Sequence, residues 1–301
     1  MATGSDNPTK IGIPRAFYYH SYPRLWETLF REFGALPVVS QRSTQRTVEK
    51  ASAISEAEHC LPNKIFDAHL ADLVDRVDVV FVPRILSTLK GHLECPKLGA
   101  LADAARAEIA KDIEVLTIDI DENKKPLIKS LVELGRKLNV PRKAARIAAA
   151  KAVEVMEAEQ AKLGRKGAPQ KGGGGPRILI LGHPYTLHDE FFAGPVLREL
   201  ASLGVQVELI SFSQSPIPAS LIRWGVANKM YHRLSTLKRE ECAGVIQITT
   251  FNCGCDSMVI EIFREQMREK GMPYMVLVLD EHSSQGGVQT RLEAFVDSLA
   301  S

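Results

Sequence analysis

Strand and helix signals alternate along the chain. They predict an α/β protein built as two parallel-sheet domains with a cleft between them. Three observations carry that prediction. Short apolar, β-branched runs recur at residues 10–14, 36–39, 78–83, 115–120, 177–181, 205–210, 245–251 and 273–279. Most are separated by stretches with apolar residues at helical spacing. Midway, an Ala/Lys/Arg/Glu-rich run at 141–163 leads into a segment with four consecutive glycines, after which the pattern restarts. The expected organisation is an N-terminal α/β domain at 10–140, a helix and Gly-rich linker at 141–176, and a C-terminal α/β domain at 177–301.

The elements follow in order. Residues 1–9 read as a polar tail. Leu25, Trp26, Leu29, Phe30 and Phe33 give a helix across 22–33, closed by Gly34. A helix is expected at 44–51. Pro62 suits the first position of another, with Ile65, Phe66, Leu70 and Leu73 on its apolar face. Residues 78–83 form a continuous apolar run of the kind buried in a parallel sheet. Residues 84–96 lack clear periodicity, and a helix is expected from Leu98. Residues 126–138 read as a helix, and 141–163 as a long solvent-facing one. The glycines of 164–176 precede a strand, and no Gly-Lys-Ser/Thr follows them, so they read as a flexible linker rather than a phosphate loop. In the second half, helices are expected at 188–203, 231–241 and 256–270. A final helix carries Leu292, Phe295, Val296 and Leu299 on its face.

Composition narrows the function. The chain has 301 residues, 45% hydrophobic and 25% charged, with a net charge of +2. That charge gives no nucleic-acid footprint. No apolar stretch is long enough to span a bilayer, so no membrane association is expected. The polar N-terminus lacks a secretory signal core, which points to the cytoplasm. Five cysteines are too few, and odd in number, for a disulfide scaffold, so they read as thiols or metal ligands.

The chemistry centres on residues 246–257. An apolar strand stops at Phe251, Cys253-Gly254-Cys255 follows, and Asp256 opens a helical pattern. Ligands bind at the carboxyl ends of strands in open α/β sheets, and a helix N-terminus favours a thiolate. Cys60 and Cys95 have similar settings, each expected to follow a strand end and precede a helix start. The three cysteines are candidate ligands of one iron–sulfur cluster. With three thiolates, one iron of a four-iron cube is left for water, substrate or a partner's ligand. The spacing contains no Cys-x-x-Cys pair, so neither a zinc ribbon nor a ferredoxin run is indicated. On spacing alone, structural or redox-sensing thiols stay in competition. Cys242 reads as core. His183 and His282, just past strand ends, are candidate proton carriers. His59, His92 and His188 are further candidates, and His69 reads as packed. Asp189-Glu190 reads as helix-start charge. Arg15 and Arg84 close strands and are candidates for holding a carboxylate or phosphate, with a surface salt bridge as the alternative.

At these same residues the chain resembles a known family. Lys10-Ile-Gly-Ile-Pro-Arg15-Ala, Cys60-Leu-Pro-Asn-Lys64, Phe81-Val-Pro-Arg84 and Glu94-Cys95-Pro-Lys97 are similar to motifs of the 2-hydroxyacyl-CoA dehydratase and activase-related family. Gly182-His-Pro-Tyr185, Phe251-Asn-Cys253-Gly, Asp280-Glu-His282 and Gln289-Thr-Arg-Leu-Glu-Ala-Phe295 continue the resemblance across about 10–299. It implies two Rossmann-like domains and a cluster held by Cys60, Cys95 and Cys253, either [4Fe-4S] or, as in some relatives, a double-cubane cluster. It also implies a partner activase, ATP-dependent and with its own cluster, that supplies one electron, an acyl-CoA substrate, and a homodimer or heterodimer. The family usually has Gly at the place of Asn252 and Pro at that of Cys255, so Cys255 is either a fourth ligand or a harmless replacement. Three functions compete on this reading. They are a dehydratase- or reductase-type enzyme component, a non-catalytic cluster carrier for electron transfer, and a two-domain binding protein with reactive thiols.

Overall fold

The computed structural model describes residues 7–166, 175–212, 221–281 and 285–299. Its contacts divide the chain into two units. One comprises Met1–Gln41 with Ile65–Glu159, the other Arg42–Lys64 with Gln160–Ser301.

In the first unit, six strands are β1 (Lys10–Ile13), β2 (Leu36–Val39), β3 (Val79–Phe81), β4 (Arg84–Ser87), β5 (Glu114–Leu116) and β6 (Asp119–Asp121). Four form a parallel sheet in the order β2-β1-β3-β5, and β4 pairs with β6 in a parallel ribbon. The runs expected at 78–83 and 115–120 are therefore each broken or shortened. Pro83 has no N–H to give to a ladder, and the pairing is interrupted there before resuming at Arg84. Bonds from Val82 N to Leu116 O and from Arg84 N to Ile118 O, 2.9 Å each, span the break.

An aromatic cluster holds the helix Leu25–Glu32 on this sheet. The Phe81 ring lies 4.7 Å from Trp26, 5.0 Å from Phe30 and 5.8 Å from Tyr18. Tyr18 donates its hydroxyl to the Phe81 carbonyl at 2.5 Å, and the Trp26 indole donates to the Tyr18 carbonyl at 3.1 Å. The helical spacing of 25, 26, 29 and 30 places all four side chains in the core.

The helix Arg142–Lys166 corrects one expectation. It does not face solvent all round. Ala145, Ala148, Ala149, Ala152 and Met156 form a buried stripe. Close approach is the reason for the small residues: a Cβ at Gly135, on the helix Leu127–Lys137, would stand 2.7 Å from the Ala145 Cβ. Such a stripe reads weakly in sequence because alanine is only slightly apolar. The Gly-rich run at 167–174 lies outside the described residues.

The second unit contains β7 (Arg177–Leu181), β8 (Gln206–Leu209), β9 (Gly244–Thr250) and β10 (Tyr274–Leu279). They form a parallel sheet in the order β10-β9-β7-β8. All seven residues of β9 are buried, as expected of a central strand. Because β7, β9 and β10 run parallel, the loops after Leu181, Thr250 and Leu279 leave from one edge. The helix expected at 188–203 begins late, as Ala193–Ser202, and is preceded by a separate short helix, Pro184–Leu187. Between them Asp189 accepts from its own neighbourhood, Phe191 N at 2.8 Å, which favours a turn over a helix. The helix expected at 231–241 is instead Gly225–Thr236, and Glu241 turns back to accept from Lys238 N at 3.1 Å.

The segment Arg42–Lys64 joins this unit through its own contacts. Its helix Gln45–Ile54 begins in a reciprocal cap between Thr44 and Thr47. Ser43 donates to buried Asp189 at 2.5 Å, and Arg42 pairs with Glu190 at the surface. Asp189 and Glu190 thus serve as docking points rather than helix-start charge.

Phe81→Ala should lower the stability of the first unit by roughly 3–5 kcal/mol, because three aromatic neighbours lose their contact surface together. Chemical denaturation followed by Trp26 fluorescence would measure it.

Candidate functional site

The site grows from the ends of β7 and β9. Past Leu181 comes Gly182, where a Cβ would meet the Ile248 carbonyl and the Leu187 side chain, each at 2.9 Å. Only glycine lets the chain pass this close to β9 before presenting His183. Past Thr250, Asn252 takes a left-handed conformation at φ 63°. That conformation is open mainly to Gly and Asn, which suits the Asn found here.

These turns place three side chains together. His183 Nε2 lies 3.0 Å from Asp256 Oδ1, and Thr249 donates to Asp256 Oδ2 at 2.5 Å. One ligand atom each from His183, Cys253 and Asp256 all lie within 4.8 Å of one another. Tyr185 stacks on the His183 ring, with centroids 4.8 Å apart and planes 9° from parallel. Sequence reasoning singled out Cys253 and His183 but took Asp256 only as a helix opener and did not reach Thr249. The available signal was position. Gln247, Thr249 and Thr250 are polar residues in a wholly buried strand, and Asp256 follows Cys253 by one helical turn.

The electrostatics follow from burial. Desolvation pulls the His183 imidazole pKa down, but the Asp256 carboxylate and its hydrogen bond, with the Cys253 sulfur, outweigh it and hold the ring well above the ordinary histidine range. Burial likewise pushes the Asp256 carboxyl up, and His183, Thr249 and Cys253 together bring it below the usual value. Burial, then the Asp256 charge, raise the Tyr274 hydroxyl. Tyr274 donates to Gln247, so polar side chains line this side of β9 from Gln247 to Asp256. His188 differs: burial without a compensating anion lowers its pKa to about 4.

The other candidates fall as follows. Cys60 precedes the helix Leu61–Ala71, and its carbonyl accepts from Asn63 N at 2.9 Å and Lys64 N at 3.2 Å. Before it stands the helix Gln45–Ile54 rather than the expected strand end. Two contacts bring the Cys60 turn to the edge that carries Cys253. Asn252 Nδ2 donates to the Glu58 carbonyl at 2.6 Å, and Lys64 Nζ pairs with Glu281 at 2.7 Å, just beyond β10. Cys95 is the N-cap of the helix Pro96–Glu108 in the first unit. Cys255 is buried in the short turn of helix Gly254–Ser257. Cys242 is buried against Met272, as its core reading expects. None of the five cysteines forms a disulfide.

Arg15 donates from Nε to the Ser40 carbonyl at 3.1 Å and lies 4.9 Å over the Tyr19 ring. Arg84 grips Asp103 through two bonds, at 3.2 and 2.6 Å, so its charge is engaged within the fold. His69 meets Ser40 at 3.0 Å in the first unit's core, consistent with a packed role. His282 lies outside the described residues.

The family model described as "CoA enzyme activase uncharacterised domain (DUF2229)" matches residues 10–211. The chain belongs to that family. The matched region of this CoA enzyme activase family member contains Cys60, Cys95 and His183 and stops before Cys253 and Asp256. No curated protein matches the chain. Among solved structures, a mutant, manganese-bound periplasmic metal binding protein from Candidatus Liberibacter asiaticus is similar at 11% identity, covering 96% of this chain and 99% of its own, with a TM-score of 0.29. At that score the likeness supports no argument. Among the described residues, no helix is long and apolar enough to cross a membrane.

Two predictions follow from this geometry. Asp256→Ala should cost roughly 3–5 kcal/mol, because it strands the buried His183 charge and the Thr249 hydroxyl, whereas Asp256→Asn should cost less. Denaturant titration of the two variants would rank them. Acid should also weaken the second unit through His188. Its folded pKa lies below the unfolded 6.5, so the unfolded chain binds the proton more readily, and stability falls as pH drops from 6.5 toward about 4. The full effect is roughly 3 kcal/mol. It should shrink in His188→Phe, as read by melting temperature against pH.

Proposed function

We propose that this chain is an iron–sulfur-binding subunit of, or related to, a 2-hydroxyacyl-CoA dehydratase-type reductive system. It would take one electron from an ATP-dependent activase that carries its own cluster. The main support is local: the Cys60 turn and Cys253, far apart in sequence, are drawn to the same strand edge of one unit by the Asn252–Glu58 and Lys64–Glu281 contacts. Family membership supports the link to CoA enzymes.

The residue types are those such a group takes. Thiolates are the ligands that iron–sulfur clusters require, and no disulfide occupies these sulfurs. Cys60, Cys95 and Cys253 are the proposed ligands of a [4Fe-4S] cluster, with a double-cubane cluster as the alternative. When bound, such a cluster supplies one-electron reduction and, at an iron lacking a thiolate, Lewis acidity toward a substrate oxygen. The chain's residues do the rest. Cys60 and Cys95 directly precede the helices Leu61–Ala71 and Pro96–Glu108, whose positive N-terminal dipole ends would favour cluster-bound thiolates. The helix after Cys253 has four residues and contributes little dipole; His183, fixed by Asp256 and Tyr185, supplies the polar neighbour there. His183 is the candidate for moving a proton, and Arg15 for holding an anionic group of an acyl-CoA. A homodimer or heterodimer in the cytoplasm is the proposed working form.

One observation favours a second reading, a non-catalytic electron carrier. Phe251 and Met258, close to Cys253 in sequence, are 61% and 66% exposed. Exposed apolar side chains beside a ligand are where a redox partner would dock. An enzyme should show its reduced spin-resonance signal altered by added acyl-CoA, and a carrier should not.

Anaerobically purified protein should contain near-stoichiometric iron and sulfide. Single replacement of Cys60, Cys95 or Cys253 by Ala should remove most of the iron, and Cys255→Ala should remove little. Iron-free wild-type protein after reconstitution would overturn the assignment.

A further inference from the structure

We propose that the Lys64–Glu281 ion pair is a latch that seats the Cys60 turn on the carboxyl edge of the second sheet. Lys64 and Glu281 are then positioning residues for the Cys60–Cys253 thiol pair. The inference deepens the iron–sulfur reading and rests on it for the purpose of the pair, though not for its geometry.

Residues 60–64 behave as one piece. The Cys60 carbonyl accepts from Asn63 N and Lys64 N, and His59 Nδ1 meets Asn63 Nδ2 at 3.0 Å. Whatever fixes Lys64 therefore fixes Cys60. The ammonium of Lys64 lies 2.7 Å from Glu281 Oε1, with the two side chains only 8% and 17% exposed. Glu281 stands two residues past the end of β10, whose neighbour β9 leads to Cys253. On the other side of Cys60, the Glu58 carbonyl is held by Asn252, the residue before Cys253. The turn is thus pinned from both sides, by the loops after β9 and β10.

An ion pair this buried is a poor source of net stability, because desolvation offsets much of the attraction. It is a good device for register, since separating two such buried charges is costly. The segment Arg42–Lys64 needs such a device. It is a short excursion of the chain into the second unit, and Lys64 is its last residue before the chain leaves. The opposite end is fixed by Ser43 on Asp189 and Arg42 on Glu190, far along the sequence from the thiol.

The test uses the full chain, iron-free and reduced, with a short bismaleimide. The Cys60–Cys253 cross-link is quantified by peptide mapping. Wild-type protein should cross-link, while Lys64→Met and Glu281→Gln should lose roughly tenfold in yield, the equilibrium change expected of a coupling of ordinary size for contacting charges. The exchange Lys64→Glu with Glu281→Lys should restore it. A merely structural role would not be rescued selectively, so the alkylation rate of buried Cys242 is followed as the measure of general unfolding. Asn252→Gly keeps the left-handed backbone, removes the second anchor, and should deepen the loss in Glu281→Gln. Wild-type yields in both single variants would overturn the latch, as would an exchange variant that protects Cys242 yet regains no cross-link, or wild-type protein that forms none. Iron uptake is scored separately. A wild-type chain that cross-links but binds no iron sinks the cluster reading, while loss of the link in the variants supports the latch in either case.

Discussion

A carboxylate as deeply buried as Asp256 has to be paired, and the arrangement around it follows from how that need is met. Thr249 and His183 each give it a hydrogen bond, from β9 and from the loop after β7. Both partners depend on β7 and β9 lying side by side in parallel, with Ile180 opposite Ile246. Antiparallel pairing would send the two loops to opposite edges. The direction of two central strands therefore decides that His183, Asp256 and Cys253 meet at all.

The same parallel geometry gives the edge its chemistry. Three loops emerge there, after β7, β9 and β10, and each contributes a charged or soft group: His183, Cys253 with Asp256, and Glu281. Within the sheet the charged residues are Arg177, at the start of β7, and Glu208 of β8, which pairs with Arg233; β9 and β10 carry none. The reactive groups thus stand at the end of a rigid apolar layer, where loop substitutions change chemistry without disturbing the packing beneath.

The strands were legible as apolar, β-branched runs, and six of the eight expected positions returned as single strands close to their bounds, while 78–83 was shortened to Val79–Phe81. The run at 115–120 did not. It returned as β5 and β6, on either side of a lapse in pairing opposite Pro83 that leaves no mark in 115–120 itself. The helix Arg142–Lys166 was legible as a helix, yet its buried face was not, because an alanine stripe hides close packing behind weak hydropathy. At the site, Cys253 and His183 stood out as reactive residue types at strand ends. Asp256 and Thr249 did not, since their significance lies in a long-range pairing that no local pattern encodes. Arg84 showed the opposite difficulty. A cation closing a strand resembles an anion grip, and only the structure shows Asp103 already on its guanidinium.

Asn252 shows how backbone and side-chain demands can meet in one residue. The turn into Cys253 needs φ near +63°, which Gly satisfies at no steric cost and Asn at a small one. Gly would meet the backbone demand alone. Asn meets it and also places an amide against the Glu58 carbonyl. The reach is 194 residues along the sequence. Closing so long a loop costs entropy that grows only slowly with length, so one well-placed hydrogen bond and one buried ion pair are enough to bias where the Cys60 turn rests. The small energy of each contact is consistent with a large effect on position, because both contacts act on the few residues around Cys60.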